Sequence, residues 1–281
     1  MPATSGESNS CWAIPNGLTN ANGTETLPCC CGTSAGITDA EVTDDTTFLR
    51  NVAVSVIQDV VPKESSNKVT IDSKRIYMGG HSNGCIASIA MGTVHSDLVA
   101  GVCCHVGVAQ TSFPPSYQPT PMWIAHGASD PEIRYEGFSD YGETGYSLLG
   151  AQATHDVIAE ANGCTQSKTI NVTGSDNIVS RYISDGCVNG ATVELLTLDD
   201  VGHFPFLGFD EIEDGTVLTK VDTTQLAWEF CSQHSLEVEP ELVLVTPSDP
   251  DVTSHASISY GTTSKSTQLL LLAVLFMVLR E

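Results

Sequence analysis

Apolar residues first recur at helical spacing at Phe48, Val52, Val56 and Val60, with Leu49 and Ile57 widening the stripe. This periodicity predicts an amphipathic helix over 46–60. Asp44-Asp45 precede it, where carboxylates complement the helix dipole, and Val61-Pro62 ends it. A short buried strand is predicted at 75–79, then a turn at Gly80-His81-Ser82-Asn83-Gly84, then small and apolar residues at helical spacing from Cys85 to Met91. Residues 98–106 are a continuous apolar run, as in a central parallel strand covered on both faces. A Pro-rich loop over 113–121 leads to a strand over 122–126. Residues 145–162 read as a helix with Leu148, Leu149, Ala153, Val157 and Ile158 on one side. Two polar strands are expected between Cys164 and Cys187, which the reading pairs as a disulfide. Residues 191–198 form the next strand, and 222–235 a last helix with Leu226 and Phe230 on its core face. Strands alternating with helices predict an α/β fold, a mostly parallel sheet with helices on both faces.

The flanks do not share this pattern. Residues 1–10 are polar, and 11–40 are rich in Gly, Asn, Thr and Cys without periodicity. Residues 236–268 are acidic and then Ser/Thr-rich, and read as a linker. The organised domain therefore spans 11–235. Residues 269–279 are eleven consecutive apolar positions, too few for the roughly 20 that span a bilayer. Small residues at 254–261, a polar spacer and this tail fit a glycosylphosphatidylinositol-anchor signal, which implies membrane attachment.

Composition changes the picture in two respects. A formal net charge of −23 argues against nucleic acid as a partner. Ten cysteines point to an oxidising compartment. The sequons beginning at Asn22 and Asn171 are glycosylation acceptors that fit such a compartment. The expected location is extracellular or at the cell surface, although residues 1–10 carry no apolar signal segment. Cys11 and Cys29-Cys30-Cys31 lack the C-x₂-C spacing of a zinc site. With no H-E-x-x-H among the eight histidines, neither metal nor cofactor is expected.

The candidate chemistry lies at the turn. Strand, G-x-S-x-G and helix together are the context of a nucleophile elbow. Ser82 is held on a sharp turn, and Gly80 and Gly84 remove side chains that would crowd it. Serine needs a base, and the base an orienting acid. In such sheets catalytic groups sit on loops after the C-terminal ends of strands. Asp130 follows the 122–126 strand and His203 follows the 191–198 strand, giving the order Ser, Asp, His. The reading assigns Ser82 as nucleophile, His203 as base and Asp130 as orienting acid. Asn83 N–H supplies one oxyanion donor. His81, at the elbow, and Phe204, beside the base, line the pocket. The sole His-Gly pair, His126-Gly127, belongs to the acid strand, so the second oxyanion donor is unassigned.

Residues 69–84 are similar to the elbow region of the polyhydroxybutyrate depolymerase-like and feruloyl or acetylxylan esterases. The resemblance continues at Pro15-Asn-Gly17, Cys30-Cys-Gly32, the Asp44-Asp45 helix, His126-Gly-Ala-Ser-Asp130, Asn162-Gly-Cys164 and Gly202-His203. It covers roughly residues 11–235 and implies an exported serine esterase of the α/β-hydrolase fold, with Ser82, Asp130 and His203 as its triad. Its substrate would be an ester on a polymer: a feruloylated or acetylated polysaccharide, or a polyhydroxyalkanoate. That family carries further strands and a His-Gly oxyanion loop before the position of Pro15, so the sheet is expected to be N-terminally incomplete. Phe204-Pro205 stands where the family commonly has Trp-Pro. A peptidase or small-molecule esterase of the same fold is the alternative. A surface binding protein that keeps the triad residues without turnover is another.

Overall fold

The computed structural model describes residues 10–13, 18–19, 25–26, 45–60, 70–109, 112–141, 146–171, 178–207, 220–245 and 273–280. Twelve strands are present among them: β1 (Ser10–Ala13), β2 (Leu18–Thr19), β3 (Glu25–Thr26), β4 (Thr70–Gly80), β5 (Gly101–His105), β6 (Met122–Gly127), β7 (Gly137–Tyr141), β8 (Tyr146–Leu149), β9 (Gln166–Asn171), β10 (Ile178–Asp185), β11 (Val193–Leu198) and β12 (Ala273–Arg280). The helices are α1 (Asp45–Ser55), α2 (Asn83–Val94), α3 (Ala151–Ala161) and α4 (Thr223–Cys231). A π-helical turn, Val56–Val60, continues α1.

Eight strands form one sheet in the order β1-β12-β4-β5-β6-β11-β10-β9. Its centre, β4-β5-β6-β11, is parallel, and the outer pairs are antiparallel. The expected α/β architecture is therefore present. Alternation along the central strands divides the core. Ile76, Met78, Val102, Cys104, Met122, Ile124, Val193 and Leu195 pack with α1, α2 and α3. Tyr77, Cys103, Trp123, Ala125, Leu196 and Leu198 pack with α4. Successive strand residues point to opposite faces, so a strand covered on both sides is apolar at every position.

The same rule explains two disulfides. Cys103 and Cys104 are adjacent on β5 and so face opposite sides. Cys103 joins Cys231 of α4, and Cys104 joins Cys85 of α2. Each bond ties one helix layer to the sheet. Cys164–Cys187, the expected pair, closes the β9–β10 hairpin. Cys29, Cys30, Cys31 and the sequon at Asn22 lie outside the described residues. Asn171 is exposed at the end of β9.

Several boundaries differ from expectation. The helix expected over 145–162 is divided at Gly150. Residues Tyr146–Leu149 instead pair with β7, Phe138 opposite Leu148. In α3 the buried positions are Ala151, Thr154, His155, Ile158 and Ala159, while Ala153 is exposed. In α4 the expected Leu226 and Phe230 pack half-buried against the core, while the fully buried positions are Thr223, Ala227 and Cys231, the last bonded to Cys103.

Residues 236–245 have no helix or strand but are not loose. Leu236 N–H donates to Lys74 O, Arg50 and Gln58 donate to the carbonyls of Glu241 and Leu242, and Asn51 makes two bonds with the Val245 backbone. The apolar tail pairs as β12 with β4 and β1. No described helix is long and apolar enough to cross a membrane.

The Cys103–Cys231 bond closes the longest loop of the three disulfides, spanning 128 residues. Replacing both cysteines by alanine is expected to lower the unfolding free energy by about 2–5 kcal/mol. Urea titration followed by tryptophan fluorescence measures it, and an unchanged midpoint would show that the bond carries no stability.

Candidate active site

Ser82, Asp130 and His203 all lie past the C-terminal ends of the parallel strands, after β4, β6 and β11 respectively. All three residues are buried. Ser82 caps α2 at φ 55°, ψ −122°, a conformation that costs a non-glycine residue about 1–3 kcal/mol. The surroundings hold it there. Its N–H donates to His105 O at 3.0 Å, and its carbonyl accepts from Cys85 N–H and Ile86 N–H at 2.9 and 3.1 Å. The Cys85–Cys104 disulfide fastens the first turn of α2 to β5 beside that bond. Gly107 makes this packing feasible, because a Cβ there would lie 2.2 Å from Cys85 Sγ. Asn83 is the first residue of α2, within the turn whose N–H groups lack intrahelical acceptors.

The acid and base loops are fastened to each other. Ala128 N–H donates to Leu198 O at 2.8 Å and Ser129 N–H to Val201 O at 3.0 Å. The approach is close enough that a Cβ on Gly127 would meet Val201 O at 2.2 Å. This explains Gly127 in the motif better than any catalytic role for a His-Gly pair.

Asp130 is fully committed. Oδ1 accepts from Glu132 N–H and Ile133 N–H at 2.8 and 2.9 Å. Oδ2 accepts from His203 Nδ1 at 2.9 Å. His126, beneath it, donates Nε2–H to Ile133 O at 2.7 Å and so braces the same turn. Because the carboxylate accepts at Nδ1, neutral His203 has its proton there and its lone pair at Nε2, the tautomer a general base requires.

The structure brings acid and base together and places His81 and Phe204 around the base. The His81 ring is 4.7 Å from that of His203 and 4.8 Å from that of Phe204. Among the described residues no hydrogen bond joins Ser82 Oγ to His203. The group facing Nε2 is the Glu132 carboxylate, at 3.6 Å. Apo catalytic bonds are often long and tighten only with substrate.

Sequence reasoning missed three contacts. His81 Nε2 bonds the His203 carbonyl at 2.6 Å. His105 supplies the carbonyl that holds Ser82. Glu132 faces the base. The Cys103-Cys104 pair was a readable signal that β5 is fastened on both sides. The other contacts depend on how separate loops meet, and no local pattern encodes that.

A separate cleft of about 410 Å³ lies at the opposite ends of the strands, lined by residues such as Asp97, Pro121, His234 and Glu239. It contains none of the candidate catalytic residues.

No family model matches the chain. It is similar to feruloyl esterase B of Piromyces equi, 27% identical over 222 residues that cover 74% of this chain. The chain spans about a third of that relative's length, 33%. An acetyl xylan esterase from Aspergillus awamori superimposes with a TM-score of 0.41 and 15% identity, covering 65% of this chain and 66% of that one. At that level the superposition says nothing of activity or substrate.

Burial sets the site's response to acid. His105, packed against Trp123 and Phe206, is pushed down to about 3 chiefly by desolvation. Desolvation likewise lowers His81 to about 4. Both start from 6.5 in the unfolded chain. Between these values the unfolded state binds more protons, so stability is full above about pH 6.5 and is lost as pH falls toward 4. His105→Leu is expected to flatten that decline. Denaturant unfolding at about pH 7, 5.5 and 4.5 checks it, and an unchanged slope in the variant would contradict it.

Proposed function

We propose that this chain is a serine esterase of the α/β-hydrolase type. Ser82 attacks the ester carbonyl, and His203 Nε2 takes the serine proton and delivers it to the leaving alcohol. Asp130 holds the imidazole in the required tautomer and stabilises the imidazolium. Water activated by the same histidine then attacks the acyl-enzyme and releases the acid. Asn83 N–H stabilises the tetrahedral oxyanion, and each such donor is worth about 3 kcal/mol. The observation that carries the reading is the 2.9 Å contact from Asp130 Oδ2 to His203 Nδ1, formed beside a serine held at positive φ. The similarity to a feruloyl esterase agrees with ester chemistry. It supports a feruloyl ester as the substrate, with an acetylated polysaccharide and a polyhydroxyalkanoate as the other candidates. His81 and Phe204 wall the pocket beside the base.

The same reading makes the protein extracellular and glycosylated at Asn22 and Asn171; against membrane attachment through the C-terminal tail stands its pairing as β12 with β4 and β1. Three disulfides support the oxidising compartment.

A second reading, a surface binding protein without turnover, draws on Glu132 rather than Ser82 facing Nε2. One experiment separates the two: hydrolysis of methyl ferulate and a short-chain p-nitrophenyl ester by this chain and its Ser82→Ala variant. Esterase activity that falls about ten-thousandfold or more in the variant supports the serine mechanism. A folded chain that binds the ester without hydrolysing it supports the second reading. Activity that survives in Ser82→Ala would sink the nucleophile assignment.

A further inference from the structure

The loop that carries His203 has neither helix nor strand from Asp199 to Leu207. A base on such a loop is only as well placed as the contacts that hold it. Three of them come from elsewhere in the domain. Ser129 N–H donates to Val201 O, Asp130 Oδ2 accepts from His203 Nδ1, and Thr223 Oγ1 donates to Pro205 O. None of these three involves the elbow. They fix the base to the acid and to α4, not to the elbow.

Another contact does reach the elbow. His81, adjacent to Ser82, extends its ring to the backbone of His203, with Nε2 2.6 Å from the carbonyl oxygen. A carbonyl only accepts, so Nε2 carries the proton and donates it. The ring also packs edge-on to the His203 ring at 4.7 Å, and against Phe204 and Phe206 at 4.8 and 5.3 Å. The His81 backbone is itself fixed, bridging His105 at the end of β5.

We propose that His81 is a positioning residue for the esterase reaction, whose Nε2–H sets the distance between Ser82 and His203 by fixing the backbone of the base to the elbow. This role rests on the serine-esterase reading and deepens it. Besides walling the pocket, residue 81 thus acts on the chemistry through residue 203. Burial suits the role: His81 stays neutral down to about 4, so it has one N–H. That proton is used on the His203 carbonyl, so in the neutral form Nδ1 is an acceptor. His81 therefore does not supply the missing oxyanion donor.

The test compares His81→Phe, which keeps an aromatic ring and loses the donor, with His81→Gln, which keeps a donor of similar reach. Two readouts are needed. The first is amide hydrogen exchange in residues 199–207, which does not depend on turnover. Exchange there is expected to rise several-fold in His81→Phe and to return most of the way in His81→Gln. The second is steady-state kinetics on methyl ferulate. His81→Phe is expected to lose about ten- to a hundredfold in kcat, the range that small misplacement of a catalytic group produces, with KM within about twofold. His81→Gln is expected to recover most of that loss.

Unchanged exchange in 199–207 overturns the proposal whatever the kinetics. A change confined to KM also overturns it, because that identifies a pocket wall alone. Equal losses in Phe and Gln overturn the assignment to the N–H. If the unaltered protein shows no Ser82-dependent hydrolysis, the esterase reading fails, and the exchange experiment still decides whether His81 holds the loop.

Discussion

One backbone hydrogen bond fixes the geometry on which the site depends: Ser82 N–H to the carbonyl of His105, 3.0 Å. A serine at φ 55° does not hold that conformation unaided. The bond joins the turn after β4 to the end of β5, and the Cys85–Cys104 disulfide repeats the connection one helical turn later. Val106, the residue after β5, is also at positive φ (58°), which is rare for a β-branched side chain. Two strained residues therefore lie side by side in a fully packed core. Both faces of the parallel strands are covered, so neither can relax without opening a helix layer.

The rest of the site is built outward from that fixed point. Three parallel strands deliver Ser82, Asp130 and His203 to one end of the sheet. Polar contacts among the loops then convert neighbouring strand ends into a defined arrangement. Asp130 shows how complete this is. Both carboxylate oxygens are satisfied, by two backbone N–H groups on one side and the imidazole on the other. A buried carboxylate held this way favours an adjacent imidazolium, the charge that forms when a serine is deprotonated. The Glu132 carboxylate at 3.6 Å adds a second negative group on the Nε2 side. The two carboxylates thus flank the ring, one at each nitrogen.

The parts legible in the sequence were those governed by local rules. The continuous apolar run at 98–106 and the strand-length segments at 122–126 and 191–198 located the three central strands beside the elbow. The G-x-S-x-G context placed Ser82 on a strand-to-helix turn, and strand order placed Asp130 and His203 on loops after β6 and β11. Spacing around a polar hairpin located Cys164–Cys187. The failures have physical causes. Residues 146–149 continue the helical stripe of 151–161, yet pairing with β7 makes them a strand. A side-chain period carries no information about a partner strand ten residues upstream. On α4 the stripe located Leu226 and Phe230, which pack against the core, but not the more deeply buried Ala227 and Cys231, the latter held by its crosslink to Cys103. Residues 236–245 read as a linker because their composition is polar and acidic, but their backbone groups bond to α1, the adjoining π-helical turn and β4. The His81 contact with His203 joins positions 122 residues apart, and no sequence pattern reports such a meeting.

The central claim is that Ser82 is an activated nucleophile served by His203. The most direct measurement is peptide mapping by mass spectrometry after treatment with an ethyl fluorophosphonate, which reacts with a serine only when a base has activated it. The account predicts one phosphonyl adduct per chain, on the peptide containing Ser82, and none in the His203→Ala variant. An adduct on another serine, or equal labelling without His203, would contradict it.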